Sequence, residues 1–355
     1  MANNEDNIKK TAKKRAVVIC PGRGTYNKEE LGYLKRLHSD KPDLVQLIDE
    51  YRKEQNQLTI SELDSMTQFN MRQHTAGENA SALIYACAMA DFQSIDQDEY
   101  DIVAVTGNSM GWYIALAVAE ALGPKAAIAL INTMGSMMID GVIGGQMIYP
   151  IINENWQQDE NIIELINQWL FKVNQSSDCE VYISIHLGGY IVFGGNKAGL
   201  NALEKKLPMV QDRYPMNLFN HAAFHTPLLN ETSKKAQTLL SPRLFTKPAI
   251  PLIDGLGQLW QPHSCDAQAL YQYTLGTQVV SPYNFTKAIE VAVKEYAPDK
   301  LIILGPGATL GGAVAQSLIK EKWLNLQQKS DFIALQKQEP FIIAMGLAEQ
   351  RKLVV

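Results

Sequence analysis

An apolar run from Tyr100 to Val105 leads into Gly107-Asn108-Ser109-Met110-Gly111, and an Ala- and Leu-rich stretch, Tyr113 to Leu122, follows. Read locally, this is strand, Gly-x-Ser-x-Gly, helix, the pattern of a nucleophile elbow. Such a turn is sharp and strains the Ser backbone. Flanking residues without a Cβ let the neighbouring chain pass close by. The Ser hydroxyl then stands at the tip of a sheet, over a helix N-terminus. Free N–H groups and the positive end of the helix dipole favour an oxyanion developing there. Ser109 is therefore a candidate nucleophile, and the chain is expected to be an α/β protein.

The remaining segments fit around that turn. Arg15 to Cys20 reads as a short buried strand broken by Pro21-Gly22-Arg23-Gly24, and helices dominate from Asn27 to about Gln93 and again up to Ile139. Then the texture changes. Gly145–Ile152, Val181–His186, Tyr190–Phe193 and part of Met209–Leu218 read as strands, with helices at Asn161–Lys172 and Ala198–Leu207. That βαββαβ order is the ferredoxin-like arrangement, and at roughly seventy residues it has the size of a small domain. Later come an apolar segment at Ile250–Leu256, a helix at Asn284–Glu295 and a strand at Lys300–Leu304. The predicted architecture is a large α/β-hydrolase-like domain with a nucleophile elbow, residues 15–140 and 216–355. A ferredoxin-like small domain, residues 141–215, is inserted into it. Residues 1–14 form a disordered lead-in.

Composition narrows the function classes. The 355 residues carry a formal net charge of −5, which argues against a nucleic-acid partner. No apolar run approaches the ~20 residues of a membrane span. The basic residues Lys9 to Arg15 are not followed by the apolar core of a secretory leader. Cys20, Cys87, Cys179 and Cys265 fall in no metal-ligand spacing, and three of them sit in or beside apolar segments. Reduced thiols in a cytoplasmic enzyme are expected.

A Ser nucleophile needs a base, usually His. Six are available: His38, His74, His186, His221, His225 and His263. Spacing alone does not choose among them, because such partners converge in space rather than in sequence.

Five segments, in order, resemble the malonyl-CoA:acyl-carrier-protein transacylase family and the acyltransferase domains of fatty acid and polyketide synthesis. Pro21-Gly22-Arg23-Gly24 is similar to the family's Pro-Gly-Gln-Gly loop, and Gly107-Asn108-Ser109-Met110-Gly111 to its Gly-His-Ser-x-Gly turn. Phe224-His225-Thr226-Pro227 resembles the segment with the catalytic His. Gln278-Val279-Val280-Ser281-Pro282 and Leu304-Gly305-Pro306-Gly307 match two later motifs. The resemblance spans about residues 15–320, and the inserted unit falls where the family has its small domain.

The resemblance implies an acyl-carrier-protein S-acyltransferase that works through an acyl-Ser109 ester. His225 is then the base, held by the main-chain carbonyl of Gln278. The N–H groups of Arg23 and Met110 form the oxyanion hole. Acyl-CoA is the substrate, acyl carrier protein the partner, and no bound cofactor or metal is required. The alternative is a hydrolase that releases the acyl group from carrier-protein or CoA thioesters to water.

Departures from the family concern the substrate. Met134 stands where malonyl-specific members carry the Arg that pairs with the substrate's carboxylate, so Met134 and Met138 suit a neutral acyl chain. The same cluster reads equally well as helix core. Glu78 falls near a pocket Gln of the family. Arg23 and Glu78, of opposite charge in place of two neutral residues, are expected to form an ion pair that neutralises Arg23. Left unpaired, Arg23 is free to replace the missing carboxylate ligand. His186 and His221 read as structural, and His74 as a surface or capping residue.

Overall fold

The computed structural model describes residues 12–139 and 141–355. The lead-in expected at 1–14 lies outside them for its first eleven residues, and Lys14 already opens the first strand.

The described residues contain eleven strands: β1 (Lys14–Cys20), β2 (Tyr100–Gly107), β3 (Gly145–Pro150), β4 (Val181–Leu187), β5 (Tyr190–Gly195), β6 (Met216–Asn217), β7 (Leu252–Ile253), β8 (Leu259–Trp260), β9 (Tyr283–Asn284), β10 (Lys300–Ile303) and β11 (Ile342–Ala344). Seven helices matter below: α1 (Gly77–Phe92), α2 (Gly111–Val118), α3 (Pro124–Ser136), α4 (Glu160–Val173), α5 (Lys197–Glu204), α6 (Phe285–Tyr296) and α7 (Leu310–Lys320).

The strands form two mixed sheets. The first has the order β11-β10-β1-β2-β7-β8, parallel throughout except for the β7–β8 pair. The last five residues of β1 are buried one after another. A strand apolar on both faces belongs inside a parallel sheet covered by helices. After a register shift between Ala16 and Val17, β1 and β2 stay paired to their ends, Cys20 opposite Gly107. The loop at Pro21–Gly24 and the turn at Ser109 thus leave the same edge, the carboxyl ends of parallel strands, where ligands of open α/β sheets collect.

The second sheet has the order β6-β3-β5-β4-β9. Its first four strands are antiparallel neighbours, and they hold a core of their own with α4 and α5, including Met147, Tyr149, Ile166, Phe193 and Leu203. Side-chain caps start both helices: Asp159 accepts from Asn161 and Ile162, and Asn196 from Gly199. Ile185 and Val192 belong to the larger core instead, so the sheet packs on both faces. β9 adds a parallel fifth strand from a remote part of the chain, pairing Ile185 with Tyr283. The strand expected within Met209–Leu218 is reduced to Met216–Asn217. Residues before it fold back in a local bridge between Val210 and Tyr214, with Gln211 and Asp212 at positive φ. No helix among the described residues is long and apolar enough to cross a membrane.

Candidate active site

Ser109 lies between the end of β2 and the start of α2, with φ 55. Left-handed backbone in a non-glycine residue is uncommon and needs support from its surroundings. The glycines supply the room. A Cβ on Gly107 would collide with the Gly111 carbonyl, and one on Gly111 with the carbonyl of Cys20 at the end of β1. Asn108 N–H donates to that Cys20 carbonyl at 3.1 Å, which ties the turn to the neighbouring strand. Met110 is the first helical residue of the turn, and the Gly107 carbonyl accepts from Tyr283 Oη at 2.5 Å.

His225 reaches Ser109 from the far end of the second sheet. Its Nε2 lies 2.7 Å from Ser109 Oγ, and its Nδ1 lies 2.6 Å from the carbonyl oxygen of Gln278. A carbonyl only accepts, so Nδ1 carries the proton and Nε2 is left to accept from the Ser hydroxyl. Burial pulls the imidazole down to about 4 from its ordinary 6.5, against the opposing bond to Gln278, so it is neutral at pH 7. His225 has φ 56, the same left-handed backbone as its partner.

Gln278 serves both halves of the pair. Its main chain holds His225, while its side-chain Nε2 donates to the Ser109 carbonyl at 3.1 Å. Tyr113, from the first turn of α2, donates to its Oε1 at 2.9 Å.

The segment that carries His225 is braced by the second sheet. His221 Nδ1 lies 2.8 Å from Gln146 Oε1 on β3; Gln146 Nε2 donates to Ser184 Oγ on β4; Ser184 donates to the Phe224 carbonyl at 2.7 Å. A Cβ on Gly194 of β5 would stand 2.7 Å from Thr226 Cγ2 and 3.3 Å from the Phe224 carbonyl. Gln146, Ser184 and Gly194 carry no motif, and the sequence reading missed them. Burial, helped by Arg23, pushes His221 down to about 3, which fits a structural imidazole.

Ser109, Met110, His225, Gln278, Arg23, Met134 and Met138 line one cleft of about 600 Å³, its open mouth included. Tyr113, Ile131, Met137, Leu229 and Val279 complete its apolar walls, and Ser81 and Thr232 add hydroxyls. Glu78 is not among the lining residues, so its expected place at the substrate is corrected: Ser81, one turn further along α1, faces the cleft instead. The expected ion pair with Arg23 is also absent. Arg23 Nη2 donates to the carbonyls of Thr75 and Asn220, each at 3.2 Å, and its guanidinium lies over the Phe224 ring. Glu78 acts on Arg23 only at longer range, and on Arg52 as well. Buried Arg52 itself donates to Asn79, Asn132 and the carbonyls of Leu58 and Glu78. With the ion pair gone, the argument for a neutralised Arg23 falls too. His74 is not at the surface: it is fully buried, with Nε2 3.0 Å from the Leu63 carbonyl and Nδ1 3.0 Å from the N–H of Asn70, the N-cap of its own short helix, so the capping alternative is the one that fits. Among the described residues no group of three or more His, Cys, Asp or Glu is placed to hold a metal ion.

No protein-family model matches the chain. Among curated proteins, it is 22% identical over 297 residues to a malonyl CoA-acyl carrier protein transacylase of Bacillus subtilis, covering 83% of this chain and 88% of that one. Among solved structures, it superposes on an acyl-carrier-protein S-malonyltransferase of Burkholderia pseudomallei with TM-score 0.73 at 18% identity, covering 96% of this chain and 99% of the other. A malonyl-transacylase solved in complex with a type II polyketide synthase acyl-carrier protein superposes with TM-score 0.69 at 18% identity, over 96% and 99%. The structural likenesses establish a shared mixed α/β fold. Relatives by sequence and neighbours by structure both point, for this chain, to the malonyl-CoA:acyl-carrier-protein transacylase family.

Proposed function

We propose that the protein moves an acyl group from coenzyme A to the phosphopantetheine thiol of an acyl carrier protein, through an ester on Ser109. One observation carries the proposal: Ser109 Oγ, His225 Nε2 and the Gln278 carbonyl form a continuous hydrogen-bonded chain beside an apolar cleft. His225 takes the Ser109 proton as Oγ attacks the thioester carbon. The C–S bond breaks, and the imidazolium returns the proton to the departing CoA thiolate. The carrier thiol then repeats the sequence in reverse. N–H groups of Met110 and Arg23, at the edge shared by β1 and β2, form the oxyanion hole.

The turn at Ser109 is proposed as a hydrolase-type nucleophile elbow. Residues 141–215 act as an inserted ferredoxin-like domain, and residues 15–140 with 216–355 as the large one. The strand order β6-β3-β5-β4 supports that reading, with the last strand, Met216–Asn217, falling just beyond the bound at 215. Met134 and Met138 wall the acyl subsite, with Met134 where malonyl-specific relatives carry an Arg.

Intact mass measurement after mixing with a panel of acyl-CoAs tests the reaction. The wild type should gain one acyl mass, Ser109→Ala none, and His225→Ala should acylate about a hundredfold more slowly or worse. Addition of phosphopantetheinylated carrier protein should move the mass to the carrier. An adduct lost to water at the same rate without the carrier would favour a hydrolase. Adduct formation at the wild-type rate in Ser109→Ala would refute the nucleophile.

A further inference from the structure

Arg23 presents a puzzle that the mechanism leaves open. Its backbone is all that an oxyanion hole needs, yet its side chain also lines the cleft beside Ser109 and Met134. The guanidinium is held on three sides, by the Thr75 and Asn220 carbonyls and by the Phe224 ring at 5.4 Å. None of these supports carries a charge. Among the described residues Nε and Nη1 donate to no protein acceptor, and no carboxylate forms an ion pair with the group. Arg23 is half-buried, and a guanidinium drawn this far out of water is seldom left without an anion. Burial lowers the group to about 10, against the distant pull of Glu78, so it stays charged at neutral pH.

Its position adds the second half. Arg23 Nη2 lies 3.7 Å from the point where a Cβ on Gly77 would stand, and that same point is 2.5 Å from the carbonyl of Gly135. The charge therefore sits against the end of α3, beside the residue that follows Met134. Among the residues lining the cleft it is the one permanent cation; the remaining acyl walls are Met134, Met138, Ile131 and Leu229.

Resting on the acyl-transfer reading, we propose that the Arg23 side chain determines specificity by binding a carboxylate at the far end of a short acyl group. The cation reaches the cleft from the loop after β1 instead of from α3. Both Nη2 protons already go to main-chain carbonyls, so the carboxylate meets Nη1 or Nε in a single charge-assisted bond and not in the two-pronged pair a free guanidinium offers. Selectivity for the carboxylated acyl group follows, at about 10- to 100-fold.

The test compares Ser109 acylation of the full chain by malonyl-CoA and by acetyl-CoA, read by intact mass. The wild type should favour malonyl. Arg23→Gln, which keeps the backbone N–H, should lower the malonyl-to-acetyl ratio by about 10- to 100-fold. Arg23→Lys should keep the preference, and Arg23→Gln with Met134→Arg should restore it by returning a cation to α3. A ratio unmoved by Arg23→Gln, with both donors slowed alike, would overturn the proposal and assign the side chain to loop positioning or to a CoA phosphate. A wild type that prefers acetyl would also overturn it, even where Arg23→Gln does not fold. No adduct from either donor would strike the transfer reading itself, an outcome distinct from both.

Discussion

Ser109 and His225 meet in one hydrogen bond, but the chain brings them there by unlike means. Ser109 is placed by its immediate neighbours: a strand end, two glycines and the first turn of a helix, all within a few residues. His225 is placed by distant groups. Gln146, Ser184 and Gly194 hold its segment from three strands of the second sheet, and Gln278 fixes its ring from a helical segment much later in the chain. Both residues sit at positive φ, so both backbones need support. For Ser109 that support is local and reads as a motif. For His225 it is tertiary, and removing it should loosen His225 while leaving Ser109 in place.

The largest test of that contrast swaps glycines in the two regions. Gly111→Val drives a side chain into the Cys20 carbonyl, main chain against main chain, where nothing can yield. It should cost more than about 3 kcal/mol, with loss of folded protein in denaturant titration. Gly194→Val meets the Thr226 methyl at 2.7 Å and, less closely, the Phe224 carbonyl and Ser184 Cβ at 3.3 Å, so its nearest obstacle is the end of a side chain and not main chain. It should cost about 1–3 kcal/mol, with acylation slowed far more than stability alone explains. Equal losses of stability from both would break the contrast.

A smaller change sharpens it. Ser184 Oγ accepts from buried Gln146 and donates to the half-buried Phe224 carbonyl, so Ser184→Ala strands two partners at once. About 1–3 kcal/mol should be lost, and amide exchange should rise at residues 221–226 but not at 107–113. Faster exchange at the Ser109 turn as well would mean that the two regions open as one unit.

The same contrast explains what could be read before any coordinates. The order of β3, α4, β4, β5, α5 and β6 was legible because alternation and helical periodicity are local signals. Ser109 was legible because its glycines are adjacent to it. Among six histidines, His225 stood out only through resemblance, since the residues that support it lie 31 to 79 positions away and share no pattern with it. The Arg23–Glu78 pair failed for a related reason. Opposite charges invite pairing on paper, but the carbonyls of Thr75 and Asn220 reach Arg23 first, and Arg52 competes for the field of Glu78. The fifth strand of the second sheet, β9, was invisible because two residues carry no period at all. The shortened β6 reflects turn geometry at Gln211 and Asp212 that an apolar pattern does not encode.

Acid should separate the two regions most gently of all. His225 titrates at about 4 and His221 at about 3, both pulled down by burial from 6.5, and both belong to the tertiary-braced segment. The Ser109 turn, from Gly107 to Trp112, contains no titrating side chain. A depressed imidazole favours the fold fully above 6.5, where both states are neutral. That contribution is lost progressively as the pH falls through 6.5 towards the folded value, because the unfolded chain takes up the proton first. Stability should therefore decline between pH 6.5 and pH 4. His225 in the molecules that remain folded keeps an unprotonated Nε2 over most of that range. The rate of Ser109 acylation per folded molecule should stay nearly flat from pH 7 down to about 5, then fall as His225 itself protonates. Rapid-mixing acylation measured beside urea titrations at each pH separates the two curves. A rate that halves near pH 6.5 would show that the imidazole is open to water, and the tertiary bracing of His225 would then count for little in its chemistry.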